Sequence, residues 1–317
     1  MLKPVALIAA ALALSAVAPR PAAHVFQPGH IDLERGPDGN TVILDAPQGL
    51  VVVDTGRHPE HAQAVLDHPR KVGKPVVAVV NTHWHLDHST GNRDLFAIYP
   101  KARLIASDAA SGALSGFLAK GREAARQRLA DPKTPAADRA RIARAQALLD
   151  DRPALVPADP VVQSGPVMLG GRRLVVNLAR NAATEGDLWL LVPDEQLAVV
   201  GDLVVAPLPF FDTACEEGWA EALNAIARAR WTTLIPGHGA PMSRKAFNRW
   251  HKAYTRYVDC AHSSATPQAC AAQWQADAAG FYTPAERDDV GMMARYYVAE
   301  VLRAPADKRM AYCRTAA

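Results

Sequence analysis

The chain has 317 residues, 49% of them hydrophobic and 21% charged, with a formal net charge of +3. That is an ordinary globular composition with enough apolar material for a core, and its length permits one large domain or two small ones. The arginines are dispersed and no basic block stands alone, which argues against a nucleic-acid or membrane-surface binder.

The N-terminus reads MLKPVALIAAALALSAVAPRPAAHVF. Lys3 gives a positive start, Val5 to Ala18 is apolar apart from Ser15, and small residues follow over 16–23. This is the layout of a secretory signal peptide, and the apolar run is shorter than the roughly 20 residues a spanning helix needs. The alternative is an uncleaved anchor. Pro19 disfavours a cut after Ala18, so cleavage is expected after Ala23; losing residues 1–23 removes Lys3 and Arg20 and leaves a charge of +1. The expected location is outside the cytoplasm, in the periplasm, with no membrane contact after cleavage.

Downstream, GHIDLERGPDGNTVILDAPQGLVVVDTG reads as consecutive strands punctuated by the turn signals PDGN and PQG. HPEHAQAVLDHPRKV suits a helix, and PVVAVVNT is a continuous apolar run, as expected of a strand covered on both faces. STGNRDLFAIYP then reads as a helix with Ser89 as its N-cap. Residues 108–152, rich in Ala, Arg, Asp and Gln, suggest two amphipathic helices broken near DPKTP, either a solvated insertion or a lid over a site. Strands resume with PVMLGG, RRLVVNLA, DLWLLVP and QLAVVGDLV; EEGWAEALNAIARA is a helix and TTLIPGHG a strand running into a loop. KAFNRWHKAYTRYV and GMMARYYVAEVLR complete a helical C-terminal region.

All four cysteines lie in the last third. An even count after an export signal favours two disulfides. Cys260 and Cys270 close a short loop and are expected to pair, and Cys215 with Cys313 follows by elimination; the alternative is four free thiols. No CxxC spacing supports a cysteine zinc site.

The densest chemistry is NTHWHLDHSTG, where His83, His85, Asp87 and His88 fall within six positions right after a buried strand. Neutral imidazole and carboxylate are good zinc ligands. His83 and His85 are two apart, so on an extended chain they point the same way; Asp87 and His88 follow as the chain turns and face the same pocket. The stretch supplies one ligand pair for each of two neighbouring metals. Asp202 in AVVGDLV and His238 in IPGHG each end a further buried strand, Asp202 placed to bridge two ions and His238 flanked by glycines that leave room. The remaining histidines considered, His30, His58, His61, His68, His251 and His262, lie outside these strand ends. Trp84 is expected to pack.

The stretches NTVILD…GLVVVDTG, THWHLDH, TEGDLWLLVP, VVGDLV and IPGHG, in this order over residues 41–239, resemble the metallo-β-lactamase fold hydrolases. The resemblance implies an α/β fold, a four-layer αββα sandwich over residues 24–317 with an insertion at 108–152 and a helical extension at 243–317, and metal bound at one edge. The HxH of amidohydrolase barrels is the rival, but it requires alternating βα units throughout, which this chain lacks.

One departure stands out. Where the family carries a third histidine for the first metal, just ahead of Thr184-Glu185-Gly186-Asp187, this chain has Ala183. The resemblance then allows a single zinc held by Asp87, His88 and His238 beside Asp202, or two zincs, the first held weakly with water or a neighbour such as Asn181 or Glu185 completing its shell, or a metal-binding accessory protein of an exported redox or transport system without hydrolysis. The expected function is a zinc-dependent hydrolase acting through metal-activated water on a small-molecule β-lactam or other amide, thioester or lactone. Asp87 or Asp202 would orient the water and pass its proton. Asp54 is either a hydrogen-bond partner for a ligating imidazole or a turn residue before Gly56. Pro207, Pro209, Phe210 and Phe211 are candidates for the wall of an apolar subsite. Substrate and oligomeric state are not legible.

Overall fold

The computed structural model describes residues 24–30, 35–305, 308–309 and 313; the expected signal peptide lies outside them. The first sheet runs in the order β1 (His24–Gln27), β2 (Thr41–Ala46), β3 (Gly49–Val53), β4 (Val76–Val80) and β5 (Arg103–Ile105). β1 to β3 pair antiparallel, and β3 to β5 pair parallel. The second sheet contains β6 (Gly165–Leu169), β7 (Arg172–Arg180), β8 (Gly186–Val192), β9 (Leu197–Val199), β10 (Thr233–Ile235) and β11 (Met242–Ser243), in spatial order β11-β10-β9-β8-β7-β6. Gly170 and Gly171, both at positive φ, form the two-residue turn of the β6–β7 hairpin, a conformation side chains resist.

Alternation decides the layers. Val51, Val53, Ala78 and Val80 face inward and meet Leu174, Val176, Leu188 and Leu190 of the second sheet. Their neighbours Val52 and Val79 face outward, onto Val65 and Leu66 of α1 (Pro59–Val72) and Leu95. With helices on both outer faces, the arrangement is the four-layer αββα sandwich that the resemblance implies.

The helix expected to start at Ser89 starts elsewhere. A short α2 (Leu86–Ser89) lies inside the ligand cluster, and α3 (Asn92–Ile98) begins after Gly91. Ser89 Oγ donates back to the His85 carbonyl at 2.8 Å, so it closes one turn instead of capping the next. The 108–152 segment breaks at 131–135 as expected, but Gly116 also splits off a piece. The helices are α4 (Ala109–Ser115), α5 (Phe117–Ala130), α6 (Ala136–Asp150) and α7 (Arg152–Leu155).

The second sheet is covered by α8 (Glu216–Arg228), α9 (Arg244–Ala261), α10 (Pro267–Asp277) and α11 (Arg287–Tyr296), the last continuing as a π-helix over Tyr297–Leu302. Three tryptophans from these helices hold one loop by its carbonyls. The indole of Trp219 donates to Leu203 O at 3.0 Å, that of Trp250 to Val205 O at 2.9 Å, and that of Trp274 to Pro207 O at 3.2 Å. A buried loop must satisfy its backbone somewhere, and here the helical layer does it. No helix among the described residues is long and apolar enough to cross a membrane.

Cys260 and Cys270 form a disulfide joining α9 to α10. The expected Cys215–Cys313 bond is not formed. Both are free thiols, Cys215 bonding Glu217 and Cys313 the Ala214 carbonyl. Burial raises both thiol pKa values, and the protonated thiol is the unreactive form.

Candidate metal centre

Four strand ends converge at one edge of the sandwich. β3 ends at Asp54, β4 runs into Thr82–His88, β9 into Asp202, and β10 into Gly237-His238. All six residues expected as ligands from the sequence come together there. His83, Asp87, His88, Asp202 and His238 are buried. His88 Nε2 lies 3.1 Å from Asp202 Oδ1, 3.2 Å from His238 Nε2 and 3.7 Å from Asp87 Oδ2. His238 Nε2 is 3.1 Å from Asp87 Oδ2. His83 Nε2 and His85 Nδ1 face Asp202 Oδ2 at 3.6 and 4.0 Å. Among the described residues, two three-donor groups lie close enough to share an ion: His83, His88 and Asp202, and Asp87, His88 and His238.

A hydrogen-bond network behind the cluster fixes which nitrogen faces it. Asp54, at φ 58°, accepts from Thr82 N at 2.8 Å and Thr82 Oγ1 at 2.7 Å, and its Oδ2 accepts from His88 Nδ1 at 2.8 Å. Asp54 is therefore a partner of an imidazole and not merely a turn former. Thr82 spends its one proton on Asp54, so at 3.0 Å it accepts from His83 Nδ1. That leaves the His83 Nε2 lone pair aimed at Asp202. His85 is set the same way: Thr213 Oγ1 donates to Ala183 O at 2.9 Å and accepts from His85 Nε2 at 3.0 Å, turning Nδ1 toward Asp202. Asp54→Asn is expected to weaken the binding of a divalent cation by about 10- to 100-fold, the range seen when such supporting partners are lost. A competitive chelator titration reads this directly, and an unchanged affinity would remove Asp54 from the site.

The cluster fits a divalent cation. His83 Nε2 and Asp202 Oδ1 are buried without a hydrogen-bond partner, a costly state unless something binds them. The donors are nitrogen and oxygen, a set zinc accepts. The electrostatics agree. Burial pulls the His83 imidazole well below its ordinary pKa, with His88 and His85 adding, and brings His85 to about 4. Burial alone would lower His88 too, but the carboxylates of Asp202, Asp54 and Asp87 raise it well above the ordinary value. Burial opposes ionisation of Asp87 and Asp202, yet His88 foremost holds both below the ordinary carboxylate range. The pocket thus concentrates negative charge around one imidazole.

Glycines leave room for the donor side chains themselves, Gly237 beside His238 among them. A Cβ on Gly237 would lie 2.0 Å from Asp202 Oδ1, and one on Gly39 2.3 Å from the His88 ring. The PDGN turn, which the sequence marks only as a turn, carries two site-building groups. Gly39 N donates to Asp87 O at 2.8 Å, and Asn40 Nδ2 donates to Pro236 O at 2.9 Å and Gly239 O at 2.8 Å. Asn40, Thr213 and Arg57, whose Nη2 stands 3.6 Å from Asp87 Oδ1, carry no local sequence signal for these roles.

Ala183 is buried and its methyl brings no donor. Neither substitute considered from the sequence joins a donor group. Glu185 accepts from the Trp84 indole at 3.0 Å, and Asn181 takes a left-handed turn conformation at φ 50°. Behind them the buried Asp187 carboxyl, pushed up to about 7 by desolvation, accepts from Thr184 N and Oγ1 and fixes the turn.

A cavity of about 340 Å³ opens beside the cluster, and His85, Asp87, Asp202 and His238 form its floor. Of the four candidate wall residues, Pro207 and Phe210 line it. Phe211 instead packs against Trp219, Tyr254, Tyr257 and Tyr297. From the 108–152 segment, Phe117 and Leu118 reach the cavity, while most of the rest of α5 is partly or fully exposed.

The chain matches a family model described as the metallo-beta-lactamase superfamily over residues 35–238. It is 44% identical over 50 residues to a linear primary-alkylsulfatase of Pseudomonas sp. (strain ATCC 19151), a match covering 16% of this chain and 10% of that protein. It is 41% identical over 58 residues to a hydroxyacylglutathione hydrolase of Synechococcus sp. (strain JA-2-3B'a(2-13)), covering 18% and 23%. The matched stretch thus spans less than a quarter of either relative. A metallo-beta-lactamase family protein from Thermus thermophilus shares its fold, with TM-score 0.55 and 15% identity over 86% of this chain and 91% of that one.

Proposed function

The chain belongs to the metallo-beta-lactamase superfamily, and from that premise we propose that it is an exported zinc hydrolase that cleaves an amide, thioester, ester or lactone bond. The observation that carries this reading is the buried set Asp87, His88 and His238 beside Asp202, whose Oδ1 is orphaned, at the floor of a cavity large enough for a small molecule. Three protein ligands with a position left open suit catalysis. His83 and His85 with Asp202 form a weaker first site, so the proposed content is one tightly held zinc.

When bound, zinc supplies Lewis acidity and brings water's pKa to about 7. The chain's own groups do the rest. Asp202 and Asp87, both held ionised, accept the proton of the attacking water and return it to the leaving oxygen, sulfur or nitrogen as its bond to the carbonyl carbon breaks. Arg57 steadies Asp87 from the rim. The apolar walls limit the access of further water.

Export rests on the layout of residues 1–23, supported by the Cys260–Cys270 disulfide, a bond that persists in oxidising compartments. Mass spectrometry of exported protein that begins at Met1 would reject cleavage. For the reaction, zinc per chain is measured first, then turnover on nitrocefin, thioesters, lactones and phosphodiesters. The relatives' names add hydroxyacylglutathione and alkyl sulfates to the panel. Bound zinc with chelator-sensitive turnover supports a hydrolase. Bound zinc with no turnover on any class overturns it in favour of a metal-binding accessory protein, an alternative that the missing donor at Ala183 leaves open.

A further inference from the structure

The cavity has a sharply divided lining. Its floor is the metal cluster. The remaining wall is apolar: Leu86, Phe117, Leu118, Pro207, Leu208 and Phe210. Among the described lining residues the sole charge outside the floor is Arg57, whose Nη2 stands 3.6 Å from Asp87 Oδ1 and whose buried Nε has no hydrogen-bond partner. The wall is also continuous with a metal-facing imidazole. The His85 ring packs edge-on against Trp84 at 4.6 Å and against Phe210 at 5.4 Å. Trp84 is pinned by Glu185 and carries Phe117 at 5.6 Å. A substrate whose reacting carbon sits over the floor must therefore lay its adjoining arm along aromatic and aliphatic surface.

We infer that this wall is the subsite for an uncharged apolar acyl arm, with Phe117 and Leu118 of the inserted helix α5 setting the arm length that is accepted. The claim rests on the hydrolase reading for its chemistry but not for its binding geometry. Along the wall itself, Leu86, Phe117, Leu118, Pro207, Leu208 and Phe210 offer a charged arm no partner, and burying an unpaired charge against such a surface is costly. Each methylene laid on the wall gains roughly fourfold in affinity. Leu118 is 6% exposed and closes the wall from below, whereas Phe117 is 37% exposed, so the wall ends at solvent beside the Phe117 ring. Methylenes beyond that ring gain nothing.

The test uses zinc-loaded full-length protein and linear alkyl hydroxamates of increasing chain length, whose head group chelates the metal. Calorimetry is expected to show affinity rising about fourfold per methylene and then levelling off. The same probes with a terminal carboxylate or ammonium lose that gain. In Phe117→Ala the plateau moves by one or more methylenes while the affinity of the shortest probe is unchanged; Leu118→Ala is a second variant should the first fold poorly. Affinity independent of chain length, or equal binding of charged and apolar arms, overturns the subsite without any mutant. The hydrolase reading fails separately: length-dependent binding with no turnover of the matching p-nitrophenyl acyl esters or of any substrate class in the panel leaves the subsite standing and removes the enzyme. Ester turnover with no length preference does the reverse.

Discussion

His88→Ala and His238→Ala are each expected to strip the protein of tightly held zinc, with affinity falling by more than about 100-fold. The scale follows from supporting partners, whose loss already costs about 10- to 100-fold; a donor atom contributes more than its support. His88 is the stronger case because it belongs to both donor groups. Its Nε2 is near Asp202, His238 and Asp87, and its Nδ1 is tied to Asp54. Removing the ring leaves three buried carboxylates without the imidazole that offsets them. His238→Ala spares the His83, His88 and Asp202 group, so any zinc it retains is held by those donors and the neighbouring His85. Plasma emission spectrometry of dialysed protein reads the zinc, and circular dichroism confirms that each variant is folded. Full zinc in folded His88→Ala protein would overturn the assignment of the centre.

Ala183→His is expected to work in the opposite direction, raising zinc from about one to about two per chain and tightening the first site by roughly 10- to 100-fold, the scale that even a supporting partner commands. The backbone there is already anchored beside the site. The Ala183 carbonyl accepts from the Thr213 hydroxyl that also holds His85, so an imidazole on this residue starts one hydrogen bond away from a metal-facing ring. His83 and His85 already present their lone pairs to Asp202, and a third nitrogen would complete the three protein ligands that zinc sites favour. Anomalous scattering at the zinc edge distinguishes one ion from two. If the variant still holds a single ion, the first site is limited by something other than the alanine.

The ligand cluster was legible because its signals are local. HxHxDH after a continuous apolar run, GD after another and PGHG after a third each mark a strand end, and strand ends at one sheet edge share a pocket. Short-range spacing likewise predicted the Cys260–Cys270 disulfide, ten residues apart. Pairing Cys215 with Cys313 by elimination brought the right two residues together but not the bond: the thiols lie within hydrogen-bonding reach of each other, and each also reaches an oxygen acceptor. The N-cap role expected of Ser89 failed because a short helix already runs through it: Ser89 ends α2, its hydroxyl donates back to the His85 carbonyl, and Gly91 stands at the N-cap of α3.

The amino-acid order by itself determined which donors exist and which of them follow buried apolar runs, because periodicity and ligand chemistry are properties of neighbouring residues; the family resemblance added that two covered sheets bring the donors to one edge and that one customary donor is a methyl. Only the tertiary structure decided how those donors are aimed. Thr213 turning His85, Asn40 holding the His238 loop and three indoles gripping the chain after Asp202 all act across tens to hundreds of residues. A hydroxyl or an indole N–H carries no mark in the sequence of which distant carbonyl or ring will satisfy it. That choice is made when burial removes water and each polar group must find a partner inside the fold.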